Sequence, residues 1–432
     1  MFGNKKLIHD LPENPGVANG LKRAMQMTDI RWSTICPMPS SHCFYTTEGK
    51  TYAQTFVQPG SPMTGMIYSS VLKNQKFLGY NVSLETFMTA LTDPRSVLYE
   101  KTLHGSGRNN VGCWYGIVCS CFASYVHDLP VRTICRDWPK IPYVTTLGQI
   151  PAEEMKLLDV VLNTKRHIAV ITDILRDEQG KVAYIQISEA TLPQCKKTYF
   201  TPDEFQLFWY KNDFQIYRNT HIQEITYTPS PFVYIEADKE RGIEADPFLP
   251  EYEYNTVLMP DQGNASNYSA EDPVNLDLLE EGWESVTLQL GGEEENGMIL
   301  PVPEDKRVTL TGLKAGLYRA AALKADGTKS RTVEWAVTDV RLSADKEAYA
   351  PGETAVFTVN AAAGSAATMI HINRVTTSGE MTRRDLSAAE QTAGSFPEKV
   401  PTEPGEYFAF VNAKNRYGAY ASSKCFFTVK ES

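Results

Sequence analysis

Residues 167–190 read His-Ile-Ala-Val-Ile-Thr-Asp-Ile-Leu-Arg-Asp-Glu-Gln-Gly-Lys-Val-Ala-Tyr-Ile-Gln-Ile-Ser-Glu-Ala. Two runs rich in β-branched residues, 167–174 and 182–188, flank the turn-forming cluster Asp177-Glu178-Gln179-Gly180, which is the signature of a β-hairpin. In an antiparallel pair the numbers of facing residues sum to a constant set by the turn. A turn centred near 178–179 sets His167 opposite Glu189 or Ala190. Facing residues share one face of the sheet, so the hairpin predicts an imidazole beside a carboxylate. That arrangement fixes a His tautomer and steadies the imidazolium formed when the ring takes a proton.

Upstream, the irregular stretch Tyr115-Gly116-Ile117-Val118 gives way to a helix over Ser120 to His127, in which Phe122, Tyr125 and Val126 need burial. Cys119 stands at the N-terminus of that helix. Unpaired backbone N–H groups and the positive end of the helix dipole favour a thiolate there, and a thiolate is a nucleophile near neutral pH. Singly, a buried cysteine is usually a small hydrophobe and a His that opens a strand is usually structural. The order Cys, His, Glu, with the last two on adjoining strands, favours a nucleophile, a base and an orienting group.

These residues resemble a known group. Tyr115-Gly116-Ile117-Val118-Cys119-Ser120-Cys121-Phe122 is similar to the nucleophile motif of NlpC-type papain-like cysteine peptidases. Leu158-Asp159-Val160-Val161 followed by His167-Ile168-Ala169-Val170 resembles the Gly-Asp-Val…His-Val-Ala pattern of the NlpC and CHAP families. Ile187-Ser188-Glu189-Ala190 resembles the CHAP strand that carries the third catalytic residue. The resemblance spans roughly residues 110–210. It implies Cys119 as nucleophile, His167 as base and Glu189 as orienter, with Trp114 and Tyr115 in the substrate cleft. It departs at Val118, Cys121 and Leu158, where the family patterns carry Asp, Gly and Gly. Cys113-Trp114-Tyr115 mimics the run around the CHAP cysteine and makes Cys113 a rival nucleophile, but a glycine turn separates Cys113 from the helix. An earlier loop, Pro62 to Ser70, is read as lining the cleft with Tyr68 and Ser69.

A chain of 432 residues has room for about three domains. Its formal charge of −10, with no basic cluster, argues against a nucleic-acid partner. No apolar run approaches the roughly 20 residues needed to cross a bilayer, and residues 1–6 lead into no signal-peptide core. The eight cysteines form neither a disulfide framework nor a repeated zinc-ligand spacing, so neither a metal nor a cofactor is expected. Cys36 and Cys43 would pair as a local disulfide in an exported protein.

Two further helices are predicted: one capped by Ser83, with Leu84, Phe87, Met88 and Leu91 at helical spacing, and one opened by the capping box of Thr201 and Glu204 with Pro202 between them. Residues 226–275 are rich in Pro, Tyr, Asp and Glu and read as a linker or as extended chain wrapped along a neighbour. Beyond them come short strands between turns. Lys314-Ala315-Gly316-Leu317-Tyr318 and Glu403-Pro404-Gly405-Glu406-Tyr407 each set a tyrosine two residues after a turn glycine, the mark of an internal repeat.

The expected fold class is therefore α+β: a papain-like (NlpC/CHAP-like) N-terminal domain over residues 1–225, then the linker 226–275. Two all-β immunoglobulin-like sandwiches follow, over 276–337 and 338–432. The expected function, implied by the resemblance, is thiol-dependent hydrolysis of peptide or isopeptide bonds, with peptidoglycan stem peptides as substrate. The protein is expected outside the cell or at its surface, with the cytoplasm as the alternative, and its sandwiches would contact a surface glycan or protein. The competing classes are a surface-binding protein with an inactive papain-like domain, and an acyltransferase that uses the same triad.

Overall fold

The computed structural model describes residues 6–39, 44–45, 51–52, 56–68, 84–96, 99, 117–130, 133–247, 257–263, 266–290, 297–375, 382–391, 393–415 and 418–431. The chain is predominantly β, and its buried residues form three main apolar cores, one over the first half and two over the second.

The first core is built on a seven-stranded antiparallel sheet. Its strands are β1 (Ile8–His9), β2 (Val144–Gly148), β3 (Val160–Asn163), β4 (His167–Arg176), β5 (Val182–Ala190), β6 (Cys195–Phe200) and β7 (Gln215–Asn219). They lie in the order β6-β5-β4-β3-β7-β2, with β1 paired to the far end of β4. Val160 to Leu162 and Ile168 to Leu175 are buried without the alternation of a half-exposed strand, because helices and irregular chain cover both faces of the central strands.

The β4–β5 hairpin forms as the 167–190 pattern predicts, but in a different register. Val170 faces Ser188 and Ile171 faces Ile187, with bulges further along the pair. Extending that register sets Glu189 beside Ala169. His167 thus lies diagonal to Glu189 on the same face instead of directly opposite it. The discrepancy arises because a turn read from sequence carries no information on its exact centre or on bulged residues. A second hairpin, between β3 and β4, places His167 at the very start of its strand. Asn163 closes that turn by accepting from the backbone N–H of Lys165 at 3.0 Å.

Helix α1 (Pro15–Thr28), α2 (Leu84–Leu91), α3 (Cys119–Val126) and α4 (Pro202–Phe208) complete this part of the chain. The apolar stripe of α2 is core, with Phe87 and Leu91 fully buried. Its expected cap Ser83 lies outside the described residues. The capping box of α4 is present, with Thr201 accepting from the Glu204 backbone N–H and the Glu204 carboxylate accepting from that of Thr201. Helix α1 packs so closely on Leu158 that a Cβ at Gly20 would lie 2.3 Å from the Leu158 Cδ1. Leu158 itself holds φ 66, a left-handed conformation, at the position where the resembled pattern has Gly.

Asp159, next in sequence, is buried, and its two carboxylate oxygens each accept at 2.7 Å from the Arg218 guanidinium. Burial still holds its pKa above the ordinary value despite that pair. Arg218→Ala should therefore destabilise this domain by roughly 2–3 kcal/mol in chemical denaturation. That is less than the cost of breaking a wholly buried pair, because the Arg218 side chain keeps 28% exposure. An unchanged unfolding midpoint would contradict the pairing.

The stretch read as a linker is used in two ways. Val233, Ile235 and Ile243 are buried in the first core, so the chain up to about 246 wraps along that domain. Asp246 anchors this wrap by accepting from Lys22, Tyr227 and the Ile235 backbone N–H. Strands Leu258–Pro260 and Asn267–Ser269 then belong to the second core. That core therefore begins near residue 257 and not at 276. Pro and acidic residues mask these two strands in the composition, each of which is only 3 residues long.

The second and third cores are each a pair of packed sheets, of three and five strands and of three and six strands, compatible with the immunoglobulin-like sandwiches expected. The repeated glycine–tyrosine turn makes the same hydrogen bond in both. The Tyr318 hydroxyl donates to the Lys314 carbonyl at 2.9 Å, and the Tyr407 hydroxyl donates to the Glu403 carbonyl at 2.8 Å. In each case the ring is buried at the start of its strand and the hydroxyl ties it back across the turn.

Candidate active site

Cys119 is the first residue of α3, and its N-cap Val118 makes no side-chain hydrogen bond to the first turn. Phe122 and Val126, one and two turns on, are fully buried and press the helix onto β4 and β5. This packing brings the start of α3 to the start of β4, where the Cys119 thiol hydrogen-bonds to the His167 ring. The other end of that ring is occupied: His167 Nε2 lies 2.7 Å from Glu189 Oε2. Nδ1 is therefore the nitrogen left to face the sulfur. Residues separated by 48 and 22 positions along the chain thus form one hydrogen-bonded series.

The surroundings hold the series in place. The Trp209 indole, at the end of α4, lies nearly parallel to the imidazole with centroids 6.3 Å apart. Lys196 Nζ sits 3.6 Å from the second Glu189 oxygen. Exposure is small but not zero, at 8% for Cys119 and 20% for the His167 side chain.

The electrostatics follow from these contacts. The Cys119 thiol is held well below its ordinary pKa. A hydrogen bond from Cys135 contributes most, and those from His167 and the Ile168 backbone N–H, with the His167 charge, add to it against the opposing effect of burial. For His167, burial pushes the pKa down, but the hydrogen bonds and charges of Cys119 and Glu189 outweigh it and raise the pKa to about 9. Both shifts act in the same direction, toward the thiolate–imidazolium form of the pair. His127, by contrast, is wholly enclosed at the end of α3, and burial lowers its pKa to about 3. It stays neutral and is structural, packed edge-on against Trp138.

No protein-family model and no curated protein matches this chain. Among solved structures it is similar to the fibronectin(III)-like modules of Clostridium thermocellum CbhA. The sequence identity is 16%, the match covers 40% of this chain and 94% of that one, and the TM-score is 0.16. A TM-score that low carries no argument about relationship.

Of the other residues singled out from the sequence, Tyr68 is half-buried against the first core. Its backbone N–H donates to Pro193, and the neighbouring Ile67 carbonyl accepts from Ile117, two residues before Cys119. Ser69, Cys113, Trp114, Tyr115 and Cys43 lie outside the described residues. None of Cys119, His167 and Glu189 lines the cavity of about 540 Å³ bounded by Arg95, Tyr99, Phe408, Lys424 and Phe426.

The aromatics after the α4 capping box, Phe205, Phe208 and Trp209, read from the sequence as a cover for the sheet carrying His167; Phe205 and Trp209 are buried, Trp209 on the His167 ring itself, while Phe208 is exposed. One neighbour of the site was not legible in the sequence. Cys135 opens the short 3-10 helix Cys135–Lys140 and carries no motif of its own.

Proposed function

We propose that this protein is a papain-like cysteine hydrolase of peptide or isopeptide bonds. The observation that carries the reading is the hydrogen-bonded series Cys119–His167–Glu189, in which Glu189 takes Nε2 and leaves Nδ1 to the thiol. The thiolate attacks the carbonyl carbon, and the imidazolium gives its proton to the leaving amine. Water then hydrolyses the thioester with His167 as base. Glu189 orients the ring and offsets its charge. The backbone N–H of Cys119, free of an intrahelical partner at the first helical position, donates to the developing oxyanion. The resemblance of the motifs points to peptidoglycan stem peptides as substrate. On this reading the protein works outside the cell or at its surface, and the two sandwiches hold it to a surface glycan or protein.

Incubation with purified peptidoglycan fragments should release new amine groups in the wild type. A failure to release any, with Cys119 still alkylated rapidly near neutral pH, would remove the amide substrate and keep the thiolate. Product formed only with an added amine acceptor would make the reaction a transfer.

The pH dependence follows from the two titrations. Turnover needs the thiolate, present above the lowered pKa of Cys119, and the imidazolium, present below about 9. The rate should be high at neutral pH and fall as the pH rises through about 9. A rate that climbs steadily from pH 7 to 10 would mean that an ordinary thiol acts with no imidazolium behind it.

A further inference from the structure

Cys135 is held against the nucleophile by three separate contacts. The backbone N–H of Thr133 donates to the Ser124 hydroxyl of α3 at 3.0 Å. Trp138, fully buried one turn into the same 3-10 helix, packs on His127 with centroids 5.3 Å apart. Between those anchors the Cys135 side chain reaches the Cys119 sulfur in a hydrogen bond. Neither cysteine is in a disulfide, and Cys135 is partly exposed while Cys119 is nearly buried. Cys121 is the closer residue in sequence but the wrong partner. Residues two apart on a helix do not share a face. Cys121 is fully enclosed, on the side of Cys195.

We propose that Cys119 and Cys135 form a reversible disulfide when the protein meets a hydroperoxide, which switches the site off and protects the nucleophile from irreversible oxidation. The inference rests on the reading of Cys119 as a reactive thiolate and extends it to regulation. In the first step the thiolate attacks the peroxide O–O bond. An S–O bond forms, the O–O bond breaks, and the departing oxygen takes the proton of the His167 imidazolium, which leaves a sulfenic acid and an alcohol or water. In the second step Cys135 gives its proton to His167 and its sulfur attacks the Cys119 sulfur. The S–S bond forms, the S–O bond breaks, and hydroxide leaves as water with that proton. Two thiols lose two electrons in all, and one hydroperoxide is reduced. Thiol–disulfide exchange with a dithiol reverses the change.

The test is peptide mapping of the full-length protein after brief treatment with hydrogen peroxide, with the remaining thiols blocked before unreduced tryptic digestion. Cys135 then lies in the short peptide Thr133-Ile134-Cys135-Arg136, apart from the peptide that holds Cys119. The expected result is a cross-link between these two peptides, with near-complete loss of Cys119 alkylation that dithiothreitol restores. In Cys135→Ser the cross-link should vanish, and Cys119 should go on to the sulfinic acid, which dithiothreitol does not reverse. A link from Cys119 to another cysteine, or direct passage of wild-type Cys119 to sulfinic acid, would overturn the proposal. If the cross-link forms but no amide is cleaved, the switch stands and the hydrolase reading falls. If amides are cleaved and no cross-link forms, the switch alone falls.

Discussion

Cys119→Ala is expected to lower amide-bond turnover by roughly three to six orders of magnitude, the range for removal of a covalent nucleophile from a triad. The fold should survive, because the change removes a single side-chain atom at the start of α3 while the buried Phe122 and Val126 still anchor the helix. Circular dichroism and the unfolding midpoint therefore serve as controls. Cys119→Ser should be nearly as inactive, since a hydroxyl of ordinary acidity is not ionised by an imidazole the way a thiol is. Substantial activity in either variant would shift the nucleophile to Cys113.

The second large effect is expected at His167. His167→Ala removes both the hydrogen bond and the positive charge that keep Cys119 ionised. Turnover should drop by about three orders of magnitude or more. The apparent pKa for alkylation of Cys119 should move up toward the value of about 8.5 of a free thiol. The movement need not be complete, since Cys135 and the Ile168 backbone N–H still donate to the sulfur. Glu189 is not stranded by the change, as Lys196 remains 3.6 Å from its carboxylate. Alkylation of Cys119 that keeps both its wild-type rate and its pH profile would take His167 out of the chemistry.

The parts of this arrangement that were legible in the sequence are those set by local physics. The β-branched runs on either side of Asp177 to Gly180 are close enough along the chain to pair as a hairpin, and the apolar residues after Cys119 needed a helix to bury them. Thr201, Pro202 and Glu204 carried a complete helix start, and the glycine–tyrosine repeat at 316–318 and 405–407 marked two strand starts, though not the hydroxyl-to-carbonyl tie each makes.

What sequence did not reveal is what the tertiary fold decides. Register depends on bulges that no residue type announces, so His167 reaches Glu189 diagonally. Leu158 adopts a left-handed conformation normally left to glycine, because its buried side chain fills the space opposite Gly20. The strands at 258–260 and 267–269 are short enough for their neighbours to give them the look of a linker. Cys135 has unremarkable surroundings in the sequence, and only packing carries it to the site.

The proposed chemistry depends most on the ionised state of one thiol, and competitive labelling measures it directly. The native protein would be exposed to limiting iodoacetamide at about pH 6.5, where an ordinary thiol with a pKa of about 8.5 is about 1% ionised, and each cysteine peptide would be quantified by mass spectrometry. Cys119 should be labelled at least tenfold faster than any other cysteine, and that advantage should shrink sharply in His167→Ala. Uniform labelling, or preference for another cysteine in the wild type, would contradict the account.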